Sequence, residues 1–179
     1  NTIIPYLSKN NTNNIRELIN EYRDEIGQLE DKLRQIRIID PACGSGAFLI
    51  NAAQILLDIT EQIEIMKTDE TTQVISGTLD DWQKEKEVSK IITNNIFGID
   101  INRESVEITK LSLFLMMAKP GETLANLSKN ILNRNSLVDD VDVDSQAMVW
   151  QEEFPEIMTS GGFNVIIGNP PWQIIKPDV

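Results

Sequence analysis

The sequence predicts an α/β domain built on a parallel sheet. Three observations carry this expectation: short apolar runs that end in aspartate, turns rich in glycine or capping residues directly after them, and helical spacing of apolar residues after each turn. Strands that alternate with helices return in the same direction, because each helix carries the chain back across the sheet.

The elements follow in order. In residues 14–35, apolar residues fall at Ile15, Leu18, Ile19, Tyr22, Ile26, Leu29 and Leu33, with Ile36 just beyond. This is one face of a long amphipathic helix, read as packing against the main domain. Residues 37–40 then form a short buried strand, stopped by Pro41 and the Gly44-Ser45-Gly46 turn. Helical spacing runs from Ala47 to about Ile65. Residues 67–77 are polar and irregular, and a helix is predicted over 79–92. A second unit has residues 96–100 as strand, Asn102 as N-cap, and an apolar helix from Val106 to Ala118 ended by Pro120-Gly121. A third strand is expected near 130–132. A fourth, 163–168, runs straight into Asn169-Pro170-Pro171-Trp172. The sheet thus has at least four strands, with residues 1–36 as an N-terminal helical segment and residues 37–179 as the domain proper.

Composition narrows the chemistry. At 179 residues and 41% hydrophobic side chains, the chain can bury one sizeable core with an appendage. No signal peptide and no run of about 18 apolar residues is present, so a soluble cytoplasmic protein without membrane contact is expected. The one cysteine, Cys43, offers neither an internal disulfide nor a metal cluster. The absence of histidine excludes imidazole bases and Ser/His or Cys/His pairs within these residues. Aspartates at 139, 140, 142 and 144 suggest calcium, but the loop glycine and terminal glutamate of an EF-hand are missing. A solvated acidic loop and no metal site are expected there. The formal charge of -12 is the opposite of a free-standing DNA binder's footprint. The chain starts at Asn1 and ends at Val179, just after its most informative motif, and is read as a piece of a longer polypeptide.

Three segments carry chemistry. Asp40-Pro41-Ala42-Cys43-Gly44-Ser45-Gly46-Ala47-Phe48 sits at the carboxyl end of the first strand, where open parallel sheets bind ligands. Its glycines allow close approach of a ligand, although a bare glycine pair also serves as an ordinary strand-to-helix turn. A dinucleotide fingerprint fits poorly, since its third glycine would fall at Leu49. Asp100 closes the second strand, where a carboxylate can accept hydrogen bonds from both ribose hydroxyls, or can simply serve the turn. In Asn169-Pro170-Pro171-Trp172, two prolines keep the backbone extended and out of any helix. The side-chain oxygen of Asn169 and the Pro170 carbonyl can then accept the two hydrogens of an exocyclic amine. Trp172 offers a face for a stacked base, worth about 1 to 3 kcal/mol in comparable sites. The bland alternative is a capping turn with a buried tryptophan.

Taken together, these segments resemble the amino-methyltransferases of restriction-modification systems, most closely the large adenine-specific enzymes of type IIG with nuclease, methyltransferase and target-recognition parts in one polypeptide. The likeness runs from about Gln35 to Trp172 and includes residues 95–102, 118–121, 133–137 and 154–157, and 161–172. It implies a Rossmann-like fold, dependent on S-adenosylmethionine, with an incomplete parallel sheet and an N-terminal amphipathic helix. It also implies that residues 37–179 form the cofactor-binding half of the domain. Asp40, Ala42, Gly44 and Gly46, with Cys43 and Phe48 in the same motif, would line the methionine part of the cofactor. Asp100 would hold the ribose, Ile101 would flank the cofactor adenine, and Asn135, beside Ser136, would meet its amino group. Asn169, Pro170, Pro171 and Trp172 would hold the target adenine of double-stranded DNA. Fused nuclease and target-recognition parts and a prokaryotic cytoplasm are the implied setting. Two departures stand out: the segment that usually helps hold the methionine carboxylate has no counterpart in 1–36, and Trp172 replaces the more usual tyrosine. The rival readings are an RNA or protein-glutamine methyltransferase, and a non-catalytic scaffold on the same fold.

Overall fold

A computed structural model describes residue 19 and residues 22–71, 81–118 and 126–169, with backbone alone for 68–71 and 81–86. A 3-10 turn at Arg23–Glu25 leads into α1 (Ile26–Gln35) and then β1 (Ile38–Asp40). Helices α2 (Ala47–Thr71) and α3 (Asp81–Asn95) precede β2 (Ile96–Asp100). Helix α4 (Arg103–Met117) leads to β3 (Ile131–Asn133), and the short α5 (Trp150–Glu153) and α6 (Pro155–Thr159) lead to β4 (Val165–Ile166).

The four strands form one parallel sheet in the order β3-β2-β1-β4. Alternation along each strand divides the core in two, because successive side chains point to opposite faces. Ile38, Ile96 and Ile131 face the four long helices, where they meet Leu33, Leu49, Leu56, Ile92, Val106 and Leu113. Ile39, Phe97, Ile99 and Leu132 point the other way and are covered by Met148, Trp150, Phe154 and Phe163. Burying each of these large side chains contributes about 1.5 to 3 kcal/mol before conformational entropy is subtracted.

Gly98 explains how α2 reaches the sheet. A Cβ at this position would lie 2.6 Å from Leu49 Cδ1 and 3.1 Å from Cys43 Sγ, so only hydrogen lets the helix settle there. The residue that spoils the dinucleotide pattern, Leu49, is therefore a fully buried packing residue.

Asparagine side chains knit the strand ends together. The buried amide of Asn95 donates to the carbonyls of Leu33 and Ile36, at 2.8 and 2.7 Å, tying the end of α1 to the start of β2. Asn130 donates to Thr93 and Ile96 carbonyls, which caps the end of α3. Asn133 donates to the carbonyls of Asp100 and Ile101. In each case the amide, buried at Asn95 and Asn130 and half-buried at Asn133, finds backbone acceptors that a helix end or strand end leaves open.

Several predicted boundaries shift. The helix predicted over 14–35 is not continuous in its described part: Ile19 is helical and buried, but Arg23–Glu25 is a 3-10 turn before α1 begins. Arg23, Asp24 and Glu25 are all exposed and have no apolar face to bury, and a tight 3-10 turn serves there. Helix α2 continues to Thr71, past the predicted end. The third strand starts one residue late because Asn130 is spent on capping. Asn102 caps α4 as predicted, its side chain accepting the Ser105 N–H at 2.8 Å. Among the described residues, no helix is long and apolar enough to cross a membrane, and no cluster of three metal-binding side chains occurs.

Candidate active site

The chain steps from β1 to β2 to β3 in one direction and then returns to place β4 on the far side of β1. The order reverses between β1 and β4, and in open parallel sheets the ligand crevice lies at that reversal, beyond the strands' carboxyl ends. An open cleft of about 1210 Å³ lies there. Its lining brings together Ala42, Gly44, Asp100, Ile101, Asn135, Ser136 and Asn169, residues spread over more than 120 positions of sequence.

The loop after β1 is held by every neighbour. The Asp40 Oδ1 accepts the Ala42 N–H at 3.0 Å, and the Cys43 N–H donates to the Ile99 carbonyl at 2.9 Å. Asp100 Oδ2 accepts the Gly44 N–H at 2.8 Å while its Oδ1 accepts the Asn102 N–H at 2.8 Å. Ser136 Oγ donates to the Pro41 carbonyl at 2.7 Å, and Thr109 Oγ1 donates to the Gly44 carbonyl at 2.8 Å. Each Asp100 oxygen keeps a further lone pair beyond the one used. The positive φ of 53° at Gly44 is a turn conformation that favours glycine.

Asp40 is fully buried, and its Oδ2 has no hydrogen-bond partner among the described residues. Burial pushes its carboxyl above the usual range; the Ala42 N–H opposes this shift and the nearby Asp100 charge adds to it. An orphaned buried acceptor is costly unless something completes it. It lies under the strand-to-motif junction: a Cβ on Gly168 would sit 2.6 Å from Asp40 Oδ1.

Other predicted residues fall elsewhere. Cys43 turns its thiol into the helical core, where burial pushes it up to about 12, with the Asp100 charge also contributing. Gly46 lies against α4, a Cβ there falling 2.7 Å from Thr109 Cγ2, and Phe48 is half exposed on the first turn of α2. Neither Asp40, Cys43, Gly46 nor Phe48 lines the cleft; Asp40 lies buried beneath it. Asn135 donates to Asp144 Oδ2 at 2.7 Å and its Oδ1 accepts the Leu137 N–H at 3.2 Å, which leaves one lone pair toward the cleft. The acidic loop is thus part of the site's frame, with the Gln146 N–H and the Asn135 amide holding the Asp144 carboxyl below its ordinary range. Asn169 is exposed at the cleft, and Pro170, Pro171 and Trp172 lie outside the described residues.

The wall on the opposite face of the sheet went unread in the sequence. Trp150 and Phe163 line the cleft and pack edge to face, with ring centres 6.3 Å apart, in a cluster with Phe97 and Phe154. Arg134, also on the cleft, pairs with Glu153 at 2.7 Å. Thr109 was missed as well, although it is a lone polar residue in the buried series Val106, Thr109, Leu113 on α4. Leu137 was legible only as part of a longer likeness, and its side chain stands 93% exposed at the cleft mouth.

Comparison with known proteins bears on this geometry. Residues 94–178 match the family described as the Eco57I restriction-modification methylase. A candidate type II restriction enzyme and methyltransferase of Methanocaldococcus jannaschii is 40% identical over 121 residues, covering 63% of this chain and 9% of that protein. The type II restriction enzyme and methyltransferase RM.Eco57I of Escherichia coli is 31% identical over 170 residues, covering 89% of this chain and 16% of that protein. The adenine-specific methyltransferase PglX of Streptomyces coelicolor is 25% identical over 167 residues, covering 79% and 12%. The chain therefore spans between 9% and 16% of the length of these relatives. No solved structure matches it.

Proposed function

We propose that the chain carries the donor-binding half of an adenine-specific DNA methyltransferase, on the premise that residues 94–178 match the Eco57I restriction-modification methylase family. A methylase needs a methyl donor, and we infer that the donor is S-adenosylmethionine. The observation that carries this reading is the cleft at the strand-order reversal, where Ala42 and Gly44 of the clamped glycine loop meet Asp100, Ile101, Asn135 and Ser136.

The residues present fit such a group. Beneath the cleft, Asp40 fixes the loop's first peptide by accepting the Ala42 N–H, which holds Ala42 on the cleft wall. Asp100 retains lone pairs for two ribose hydroxyls, and the exposed Ile101 gives a flat apolar flank for an adenine ring. The remaining lone pair of Asn135 can accept from that ring's amino group. When bound, S-adenosylmethionine supplies an electrophilic methyl group.

The chain's own part in the reaction is positional. Asn169 stands at the mouth of the cleft, three residues past a strand whose partner, β1, ends in Asp40. Its side-chain oxygen, with the Pro170 carbonyl, would accept the two hydrogens of a flipped adenine's amine and direct the nitrogen lone pair inward, while Trp172 stacks on the base. Rate enhancement would come from orientation and exclusion of water, with no covalent enzyme intermediate. The reading extends to double-stranded DNA bound through the full-length enzyme, with fused nuclease and recognition parts, in a prokaryotic cytoplasm.

Calorimetric titration of the chain with S-adenosylmethionine tests the donor site. Saturable binding that weakens at least tenfold in Asp100→Ala supports it, because the carboxylate both holds the loop and meets the ribose. A folded chain that binds no donor would overturn it.

A further inference from the structure

We propose that Thr109 is a positioning residue for the donor site, acting through the peptide between Gly44 and Ser45. The inference rests on the reading of the cleft as a donor site but concerns a residue that lies outside the cleft lining.

Thr109 is fully buried on α4, between Val106 and Leu113 in the series that faces the sheet. A hydroxyl at such a position needs a partner, and it has one: Oγ1 donates to the Gly44 carbonyl at 2.8 Å. The rest of the side chain holds the neighbouring residue, since Gly46 comes so near that a Cβ would lie 2.7 Å from Thr109 Cγ2 and 2.9 Å from Oγ1. One side chain thus grips both glycines of the loop from the helical side.

The opposite grip comes from Asp100, whose Oδ2 accepts the Gly44 N–H at 2.8 Å. Gly44 is therefore fixed at both its N–H and its carbonyl, by residues from two elements. That matters at glycine more than elsewhere, because glycine has the widest choice of backbone conformation and a φ of 53° is only one of its options. The peptide is also trans and planar, so holding the Gly44 carbonyl toward α4 turns the Ser45 N–H away from it. Remove the hydroxyl and this peptide is free to rotate. Gly44 would then lose its fixed position on the cleft wall, and Asp100 would share its oxygens with a moving partner.

Two properties of the pattern favour a role in the site over packing alone. A buried position in an otherwise apolar series would be filled better by valine, which has nearly the same shape and no hydroxyl to satisfy. The hydroxyl's acceptor is, moreover, a residue of the cleft and not a carbonyl within α4.

The test uses the whole chain and titrates S-adenosylmethionine into wild type, Thr109→Val, Thr109→Ser and Thr109→Ala, each after its urea midpoint is measured. Thr109→Val should lower the midpoint modestly, because the Gly44 carbonyl loses its donor in the free chain too, and its folded fraction should bind about tenfold more weakly. Thr109→Ser should bind within about twofold of wild type, because the donor hydroxyl remains. Equal binding by the valine and serine variants would overturn the proposal, and would do so even with both destabilised, since a purely structural role moves the midpoint and not the affinity of the folded fraction. If the valine variant does not fold, the same comparison is made between alanine and serine, with equal affinities again counting against it. Absence of binding by folded wild type would instead overturn the reading of the cleft as a donor site, and the inference with it.

Discussion

The carboxylate of Asp40 and the α-carbon of Gly168 occupy adjoining space, so close that a Cβ on Gly168 would lie 2.6 Å from Asp40 Oδ1 and 3.2 Å from its Cγ. Asp40 ends β1 and Gly168 follows the end of β4 by two residues, where the sheet order reverses. Gly168 immediately precedes Asn169, the described residue of the candidate target-binding motif that stands at the cleft.

Gly168→Ala should therefore destabilise the chain by about 1 to 3 kcal/mol, through the contact and through a φ of 150° that suits glycine. Urea unfolding checks this, and a cycle with Asp40→Ala separates the causes. A coupling of about 1 kcal/mol between the sites is expected. Additive effects would mean that backbone strain alone is responsible.

Asp40 also predicts a dependence on pH. Because burial raises its carboxyl in the folded chain above the ordinary 3.8, folding favours the neutral form. The associated stability is complete below 3.8 and is lost as the pH climbs through the raised folded value. Asp40→Asn removes this loss, so thermal midpoints of variant and wild type should diverge in the variant's favour as the pH rises from that window toward neutrality. The same variant should bind S-adenosylmethionine within about twofold of wild type, since Asp40 lies outside the cleft lining and an amide oxygen can still accept the Ala42 N–H. A pH-independent difference in midpoint would show that Asp40 is not the titrating group.

Cys43 should be inert despite standing in the glycine motif. With its thiol pushed up to about 12 by burial, the thiolate fraction at pH 8 is roughly a thousandfold below that of an ordinary cysteine. Labelling with an aromatic disulfide reagent should accordingly be slow in native buffer and rapid in urea. Fast native labelling would place the thiol on the surface.

Asn95 offers a test of the frame far from the cleft. Its amide donates to two carbonyls in a buried place, so Asn95→Asp would set a carboxylate against both acceptors. A loss of about 3 kcal/mol or more is expected in urea unfolding, against about 1 to 3 for Asn95→Ala. If aspartate is tolerated as well as alanine, the hydrogen-bonding account of this junction is wrong.

The sheet, its parallel sense and most of its helices were legible along the chain because each depends on local pattern. Apolar runs ending at Asp40 and Asp100, the Gly44-Ser45-Gly46 turn and the Asn102 cap act within a few residues of themselves. The glycine loop and Asp100 were legible in the same way, at carboxyl ends of parallel strands, whereas Ile101, Asn135 and Ser136, which share the cleft with them, were reached only through the family resemblance.

Only the tertiary structure decided the rest. Strand order depends on which crossover packs where, and nothing local to 163–168 tells that β4 lies beside β1. The aromatic wall of Trp150, Phe154 and Phe163 exists because one face of the sheet must be covered after the long helices take the other. Whether a motif residue faces cleft or core is likewise a matter of rotation about the backbone: Gly44 is on the cleft, Cys43 next to it is in the core, and Gly46 is pressed on Thr109. Residue type and spacing determine which groups can come to the switch point, but burial and close packing between distant elements determine which way each one points.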